Sequence, residues 1–211
     1  MMVGTRALGT RDGPKNMNQG FKFSEENAAK AREIIARYPE GRQQSATLAL
    51  LDLGQRQNGG HADDNVIDAV ADMLGMARIR VVEVASFYTM INRAPVGKFH
   101  LQCCTTTPCW LRGSSDVVDA IRKHLGIDFG ERTGDGTFSM VEVECVGACV
   151  NAPVVQVNDD FYEDLDAKSV VAILERLKAG ETPAPGPQID RQTSGPAGGP
   201  TTLTELDFAS E

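Results

Sequence analysis

The chain has 211 residues, of which 41% are hydrophobic and 24% are charged, and its formal net charge is −8. That length is enough for one domain or two small ones with a packed core. A chain this acidic is a poor candidate for binding nucleic acid, which needs clustered Lys and Arg. No stretch approaches the roughly 20 apolar residues of a membrane span, so we expect no direct membrane insertion.

The first half of the chain has the pattern of a helical protein. Residues 1–20 are predicted to form a flexible arm, and residues 21–94 a helical bundle. Side chains that cap helices and breaker residues that stop them mark the helix ends. The first three predicted helices run from the N-cap Ser24 to near Pro39, from Gln43 to Gln57, and from Asp63 or Asp64 to Gly75.

A fourth helix is predicted from apolar residues at positions i, i+3, i+4 and i+7. These residues are Val84, Phe87, Tyr88 and Ile91. The spacing is typical of an amphipathic helix that turns one face to the core. We therefore expect Phe87 and Tyr88 to be packing residues, with contact to a partner protein as the alternative.

The periodicity changes after Pro95, where alternating residues indicate a strand. Residues 95–180 are predicted to fold in the order β-α-β-β-β-α, and residues 181–211 to form an extended Pro/Gly-rich tail. The fold class is therefore α+β or α/β. The predicted elements are a strand over 98–104, a helix capped by Ser114 or Ser115 and closed by Gly126, a strand over 138–144, a hairpin around Asn158–Asp160, and a helix capped by Asp166.

Two spaced pairs of cysteines carry most of the chemical information. Cys104 and Cys109 are separated by four residues, and Cys145 and Cys149 by three. If the strands that precede them are parallel, both pairs lie in loops over the same edge of the sheet. Four thiolates are what a [2Fe–2S] cluster needs, two on each iron. Structural zinc and unrelated buried thiols stay open as alternatives.

The other titratable residues point to no further site. Cys103 falls on the Phe99/Leu101 face of its strand, where a buried apolar role is favoured. The three histidines lack ligand spacing and are predicted to be surface or packing residues: His61, His100 and His124. The carboxylates predicted to be solvated or turn residues are Glu142, Glu144, Asp159, Asp160, Glu163 and Asp164.

Several motifs resemble one known family, the 24 kDa subunits of respiratory complex I, the NADH:ubiquinone oxidoreductase. The match covers about residues 22–180, and its two cysteine motifs are the specific part. The motifs that carry it are Phe87-Tyr-Thr-Met90, Pro95-Val-Gly-Lys98, Cys104-Thr-Thr-Thr-Pro-Cys109, Asp135-Gly-Thr-Phe138, Glu144-Cys-Val-Gly-Ala-Cys-Val-Asn-Ala-Pro153 and Tyr162-Glu-Asp-Leu165.

The resemblance implies a thioredoxin-like ferredoxin domain that follows an N-terminal helical bundle. It also implies one [2Fe–2S] cluster on Cys104, Cys109, Cys145 and Cys149. The implied partners are the larger subunit that binds FMN and NADH and the rest of the peripheral arm of the complex. The implied location is the cytoplasmic face of the bacterial inner membrane, with the mitochondrial matrix as the alternative.

The expected function is electron transfer, with no complete active site in this chain alone. The chain has no G-x-G-x-x-G sequence after a strand and no Walker A sequence, so we expect the nucleotide to bind elsewhere. A homologous alternative is the equivalent subunit of an NAD-linked hydrogenase or formate dehydrogenase. Alternatives from other classes are a structural zinc module for protein interactions and a thiol-disulfide enzyme.

Overall fold

The computed structural model describes residues 20–204, which divide between Ala94 and Pro95 into two compact units. The flexible arm predicted for residues 1–20 therefore lies outside the described residues except for Gly20. The helices are α1 Glu25–Ala36, α2 Thr47–Gln57, α3 Asp64–Leu74, α4 Arg78–Phe87, α5 Thr107–Leu111, α6 Ser114–Leu125 and α7 Ala167–Lys178. The strands are β1 Phe99–Cys104, β2 Glu131–Arg132, β3 Phe138–Val143, β4 Val155–Val157, β5 Asp160–Glu163 and β6 Gly186–Pro187.

The described part of the first unit contains α1 to α4 around a core of its own. Ser24 caps α1, because its hydroxyl accepts a hydrogen bond from the Asn27 N–H at 3.2 Å. Asp63 caps α3 in the same way, and Gly75 closes that helix with a positive φ of 61°. These ends are where the sequence predicts them. The buried core includes Leu50, Leu51, Val66, Ile67, Val70 and Val81.

Two of the predicted helices differ from those observed. The second starts as a 3₁₀ turn, Gln43–Ala46, before α2 begins. The fourth ends at Phe87, since Tyr88 is already extended. Val81 and Ala85 are the buried residues of α4, and Phe87 is 77% exposed. The predicted packing role of Phe87 and Tyr88 is therefore wrong. Phe87 follows the buried Ala85 by two residues and so lies on another side of the helix, and Tyr88 lies past its end.

The second unit is built on one mixed sheet with the strand order β2-β3-β1-β4-β5-β6. The central strand β1 pairs parallel with β3 and antiparallel with β4. Helices α6 and α7 share one core with the sheet. The residues of that core include Leu101, Cys103, Val117, Ile121, Phe138, Met140, Val155, Tyr162, Val170 and Leu174.

The parallel pairing of β1 and β3 sets the position of the cysteine loops. Cys104 lies opposite Val143, so both strands end at the same edge of the sheet. Two loops begin at that edge, one after β1 and one after β3, and each loop contains one pair of cysteines. The condition under which the sequence places both cysteine pairs at one edge, a parallel pairing of these strands, is therefore met.

Some short elements are absent from the sequence prediction. Helix α5 and the two-residue strands β2 and β6 are too short to show a period. The N-cap of α6 is Gly113 with a φ of 95°, and not Ser114 or Ser115, which both lie in the first turn. The hairpin β4–β5 and the Asp166 cap of α7 are confirmed.

The predicted tail, residues 181–211, is described as far as residue 204. It adds β6 to the sheet edge, parallel to β5. The Tyr162 hydroxyl also donates a hydrogen bond to the Pro183 carbonyl at 3.1 Å. Between residues 20 and 204, no helix has the length and apolar character needed to cross a membrane.

Gly97 lies against the backbone of β3, which yields a test of the packing. A Cβ atom at Gly97 would lie 2.3 Å from the Phe138 carbonyl carbon and 2.5 Å from the Ser139 nitrogen. We expect Gly97→Ala to lower the free energy of unfolding of this unit by roughly 1–3 kcal/mol, as overpacking does. Urea unfolding monitored by circular dichroism measures the change.

The matched control is Gly134→Ala. Gly134 is exposed, and an added Cβ would meet no atom within 4 Å. Its effect should stay within about 0.5 kcal/mol, as for most surface substitutions. Equal losses in the two variants would contradict the close contact.

His100 yields a prediction about pH. The Ser139 hydroxyl accepts from the Gly97 N–H at 2.8 Å and lies 2.7 Å from His100 Nδ1. Burial lowers the pKa of His100, so the folded state disfavours its protonation. The free energy of unfolding should therefore fall as the pH is lowered from about 7 to about 5.

Subtracting the pH profile of His100→Gln from that of the wild type isolates this contribution. The difference should be largest above the ordinary histidine pKa and should shrink below it. A difference that does not vary across this range would contradict the burial of the neutral ring. Urea titrations at each pH give both profiles.

Candidate metal centre

Each of the four candidate thiols is carried by a defined element. Cys104 is the last residue of β1, and Cys109 lies in α5. Cys145 follows β3 by two residues, and Cys149 begins the 3₁₀ turn Cys149–Asn151. The structure thus places both predicted pairs beyond the same edge of the sheet.

Local sequence explains the shape of both loops. Thr106 is the extended N-cap of α5, and Pro108 occupies its first turn, where a missing N–H costs nothing. In the second loop, Gly147 has a φ of 83°, which is available to glycine at little cost. Each loop therefore turns back on itself and returns its second cysteine toward the first.

The two pairs differ in burial. Cys104 and Cys109 are each only 2% exposed, whereas Cys145 and Cys149 are exposed. The inner pair packs with Ala152 and Val154 in a small apolar cluster. The site thus has a dry side and a side open to solvent.

In the outer pair, the Sγ atoms of Cys145 and Cys149 are 3.3 Å apart. The Gly147 N–H, followed by the Cys149 thiol, lowers the pKa of Cys145. The pKa of Cys149 is raised, first by its hydrogen bond to Cys145 and also by burial and the nearby charges of Cys145 and Cys104. Cys145 is therefore the sulfur of this pair that loses its proton more readily.

The inner pair has the same asymmetry. Burial acts to raise the pKa of Cys104, but hydrogen bonds from Thr106, the Cys109 thiol and the Val146 N–H outweigh it and lower the pKa. Burial, together with the hydrogen bond to Cys104, raises the pKa of Cys109. A metal that binds these pairs would displace their protons.

Thr106 connects the two loops. Its hydroxyl lies 3.3 Å from Cys104 Sγ and also contributes a hydrogen bond that lowers the pKa of Cys145. Thr105 joins the first loop to β3 through its hydrogen bond to Glu142. Thr106 and the N–H groups of Val146 and Val154 are not among the residues predicted from the sequence. The position of Thr106 between two cysteines is its only sequence signal.

The thiols meet as pairs. Within residues 20–204, no three His, Cys, Asp or Glu side chains converge closely enough to hold a single metal ion. The charge of Cys104 acts to raise the pKa of both Cys145 and Cys149, so the inner pair lies near enough to interact electrostatically with the outer pair.

The remaining candidates lie outside this group. Cys103 is 1% exposed in the main core, as predicted from alternation. His100 contacts Ser139, and His61 lies near Asn58. Asp164 is a turn residue, as predicted, with a positive φ of 52°, but it is not solvated. Its side chain is 5% exposed and is paired with Arg191, a partner that local sequence does not reveal.

A mixed sheet with two thiol loops at one edge defines a class of small metal-binding domains of the ferredoxin type. The family model of the thioredoxin-like [2Fe-2S] ferredoxins matches residues 31–178. The chain belongs to this family.

Curated relatives agree with that assignment. The chain is 47% identical over 201 residues to "NADH dehydrogenase [ubiquinone] flavoprotein 2, mitochondrial" of Dictyostelium discoideum, which covers 95% of this chain and 81% of the relative. It is 54% identical over 158 residues to a subunit of the NADH-quinone oxidoreductase of Rickettsia bellii, covering 75% of this chain and 95% of the relative.

A solved structure shares the fold. An NAD+-reducing [NiFe]-hydrogenase in its H2-reduced state matches with a TM-score of 0.57 and 20% identity over 65% of this chain. The match spans 23% of that hydrogenase chain. At this identity the similarity concerns the fold alone.

The pKa shifts predict an order of thiol reactivity in metal-free, reduced protein. Cys145 is exposed with a lowered pKa, while burial raises the pKa of Cys103 to about 12. At neutral pH, iodoacetamide should modify Cys103 roughly a hundredfold more slowly than Cys145, since the thiolate is the nucleophile. Mass spectrometry of the peptides gives both rates.

The chain unfolded in urea is the control, where the two cysteines should react at similar rates. Equal rates in the folded protein would contradict both the burial of Cys103 and the hydrogen bond from Gly147.

Proposed function

We propose that this chain is the electron-transfer subunit of an NADH:quinone oxidoreductase and binds one [2Fe–2S] cluster through Cys104, Cys109, Cys145 and Cys149. The observation that carries the proposal is that both thiol pairs lie beyond the same edge of the sheet. Such a cluster needs two thiolates on each iron. Cys104 and Cys109 offer one pair of sulfurs, and Cys145 and Cys149 offer the other.

The donor set fits this cofactor in its chemistry. One sulfur in each pair, that of Cys104 and that of Cys145, has a lowered pKa, which favours the thiolate form that binds a metal. When bound, the cluster supplies a one-electron redox couple. No side chain of this subunit then has to act as a catalytic acid or base.

The surrounding residues control the sulfurs. The N–H groups of Val146, Gly147 and Val154 donate hydrogen bonds to Cys104, Cys145 and Cys109. Hydrogen bonds of this kind stabilise the extra negative charge of a reduced cluster and raise its potential. Ala152 and Val154 keep water from the inner pair, while the outer pair faces the side from which a partner can exchange electrons.

Support for the assembly comes from the relatives at about half identity, which are named as subunits of NADH dehydrogenases. The partner in this proposal is the subunit that carries FMN and NADH, within the peripheral arm of the complex. The chain would then work at the cytoplasmic face of a bacterial inner membrane or in the mitochondrial matrix. In the domain organisation that we propose, a helical bundle over residues 21–94 precedes the cluster-binding domain over residues 95–180.

Anaerobic purification followed by metal analysis tests the ligand set. We expect about two irons and two acid-labile sulfides per chain, with an EPR signal of an unpaired electron after dithionite reduction. Cys104→Ala and Cys149→Ala should each reduce the iron content and the signal to near background, because each removes a ligand.

Cys103→Ala is the matched control, since it removes a neighbouring thiol from the core and should keep both iron and signal. Stoichiometric zinc without iron would instead support a structural zinc module. Loss of iron in Cys103→Ala but not in Cys104→Ala would overturn the ligand assignment.

A further inference from the structure

The C-terminal segment over residues 186–195, here called the strap, holds a buried ion pair. Arg191 Nη1 lies 2.9 Å from Asp164 Oδ1, and the two side chains are 9% and 5% exposed. By contrast, the Arg176–Glu181 pair of the same unit is more than half exposed on both sides. A buried pair of this kind orders the groups around it strongly, because neither charge can be left alone.

Arg191 uses its guanidinium to reach the outer thiol loop. Nη1 donates to the Val150 carbonyl at 3.4 Å, and Nε donates to the Gly195 carbonyl of the strap at 2.8 Å. Val150 directly follows Cys149 in the chain. One side chain therefore joins the strap, Asp164 and the 3₁₀ turn that begins with Cys149.

Asn151 makes the second connection. It is 2% exposed, and its Nδ2 donates to the Thr193 carbonyl at 2.9 Å and to Asp164 Oδ2 at 3.3 Å. Its own carbonyl accepts from the Asp164 N–H at 2.7 Å. The strap thus holds two successive residues of the turn, Val150 and Asn151.

The turn has little support of its own. Its internal hydrogen bonds run from Asn151 to Ala148 at 3.0 Å and from Ala152 to Cys149 at 3.4 Å. Short 3₁₀ turns have poor hydrogen-bond geometry and are often strained. Cys149 is also exposed, so core packing does not fix its side chain.

We propose that the strap is a positioning device for Cys149, in which Arg191, Asp164 and Asn151 hold the turn so that the outer thiol pair is preorganised for ligation. This proposal rests on the proposed cluster site. Arg191 and Asn151 act through the backbone of the turn and do not touch the sulfurs. The part of the chain that follows the ferredoxin fold therefore belongs to the metal centre.

Hydrogen exchange on the full-length, metal-free chain tests the contact directly. Arg191→Met removes the charge and the donors but keeps the length of the side chain. Amides of residues 145–152 should exchange at least about tenfold faster, because Asp164 loses its partner and the turn opens locally. Arg176→Met, which breaks the exposed pair, is the control and should leave this segment unchanged.

Arg191→Lys keeps the charge beside Asp164 and guards against a variant that fails to fold. A lysine lacks the planar guanidinium that contacts Asp164, Val150 and Gly195 together. Amide exchange in residues 145–152 should therefore still be faster than in the wild type. Wild-type exchange in both Arg191 variants would overturn the proposal. An equal acceleration in β1 and β3 would also overturn it, because that result indicates a general loss of stability.

The iron-loaded chain gives the second measurement. Iron release to a chelator should be several-fold faster in Arg191→Met than in Arg176→Met, and the EPR line shape should change only in the former. A chain that never takes up iron would overturn the proposed function. A chain that takes up iron but releases it at one rate in all variants would overturn the strap proposal alone.

Discussion

The parallel pairing of β1 with β3 is the constraint on which the thiol site depends. Leu101 and Cys103 point into the core, so Cys104 must leave the sheet on the opposite side. A register slip of one residue would reverse that arrangement and place Cys104, in place of Cys103, in the main core. The hydrophobic core therefore decides which of two adjacent thiols is offered at the edge of the sheet.

Both cysteine loops leave the same edge of the sheet, but they differ in burial. Each pair therefore keeps its geometry in a different way. The inner pair rests on apolar side chains and keeps its geometry through packing. The outer pair is open, so its geometry depends on backbone turns, on the Gly147 N–H and on the strap. A redox site needs both properties, because a dry side limits solvent reorganisation and an open side allows a partner to approach.

Much of this arrangement could be predicted from the sequence, because the deciding signals are local. The alternation at Phe99–Cys104, the cap residues Ser24, Asp63 and Asp166, and the cysteine spacing each depend on a few neighbouring residues. Helix α5 could not be predicted because its five residues are too short for a period. The predicted fourth helix is too long because apolar spacing continues past Phe87, although the backbone has already turned.

The strap could not be predicted for a different reason. Arg191 and Asp164 are 27 residues apart, and each sits in a stretch that reads as a turn or a tail. Only the closure of the chain by β6 against β5 brings them together, and closing a loop of this length costs little more than closing a short one. A buried ion pair contributes little net stability compared with apolar packing, but it tolerates few alternative geometries. A polar clamp is therefore suited to the outer loop, where Ala148 and Ala152 pack against the apolar cluster but Cys149 itself is exposed and needs a fixed position.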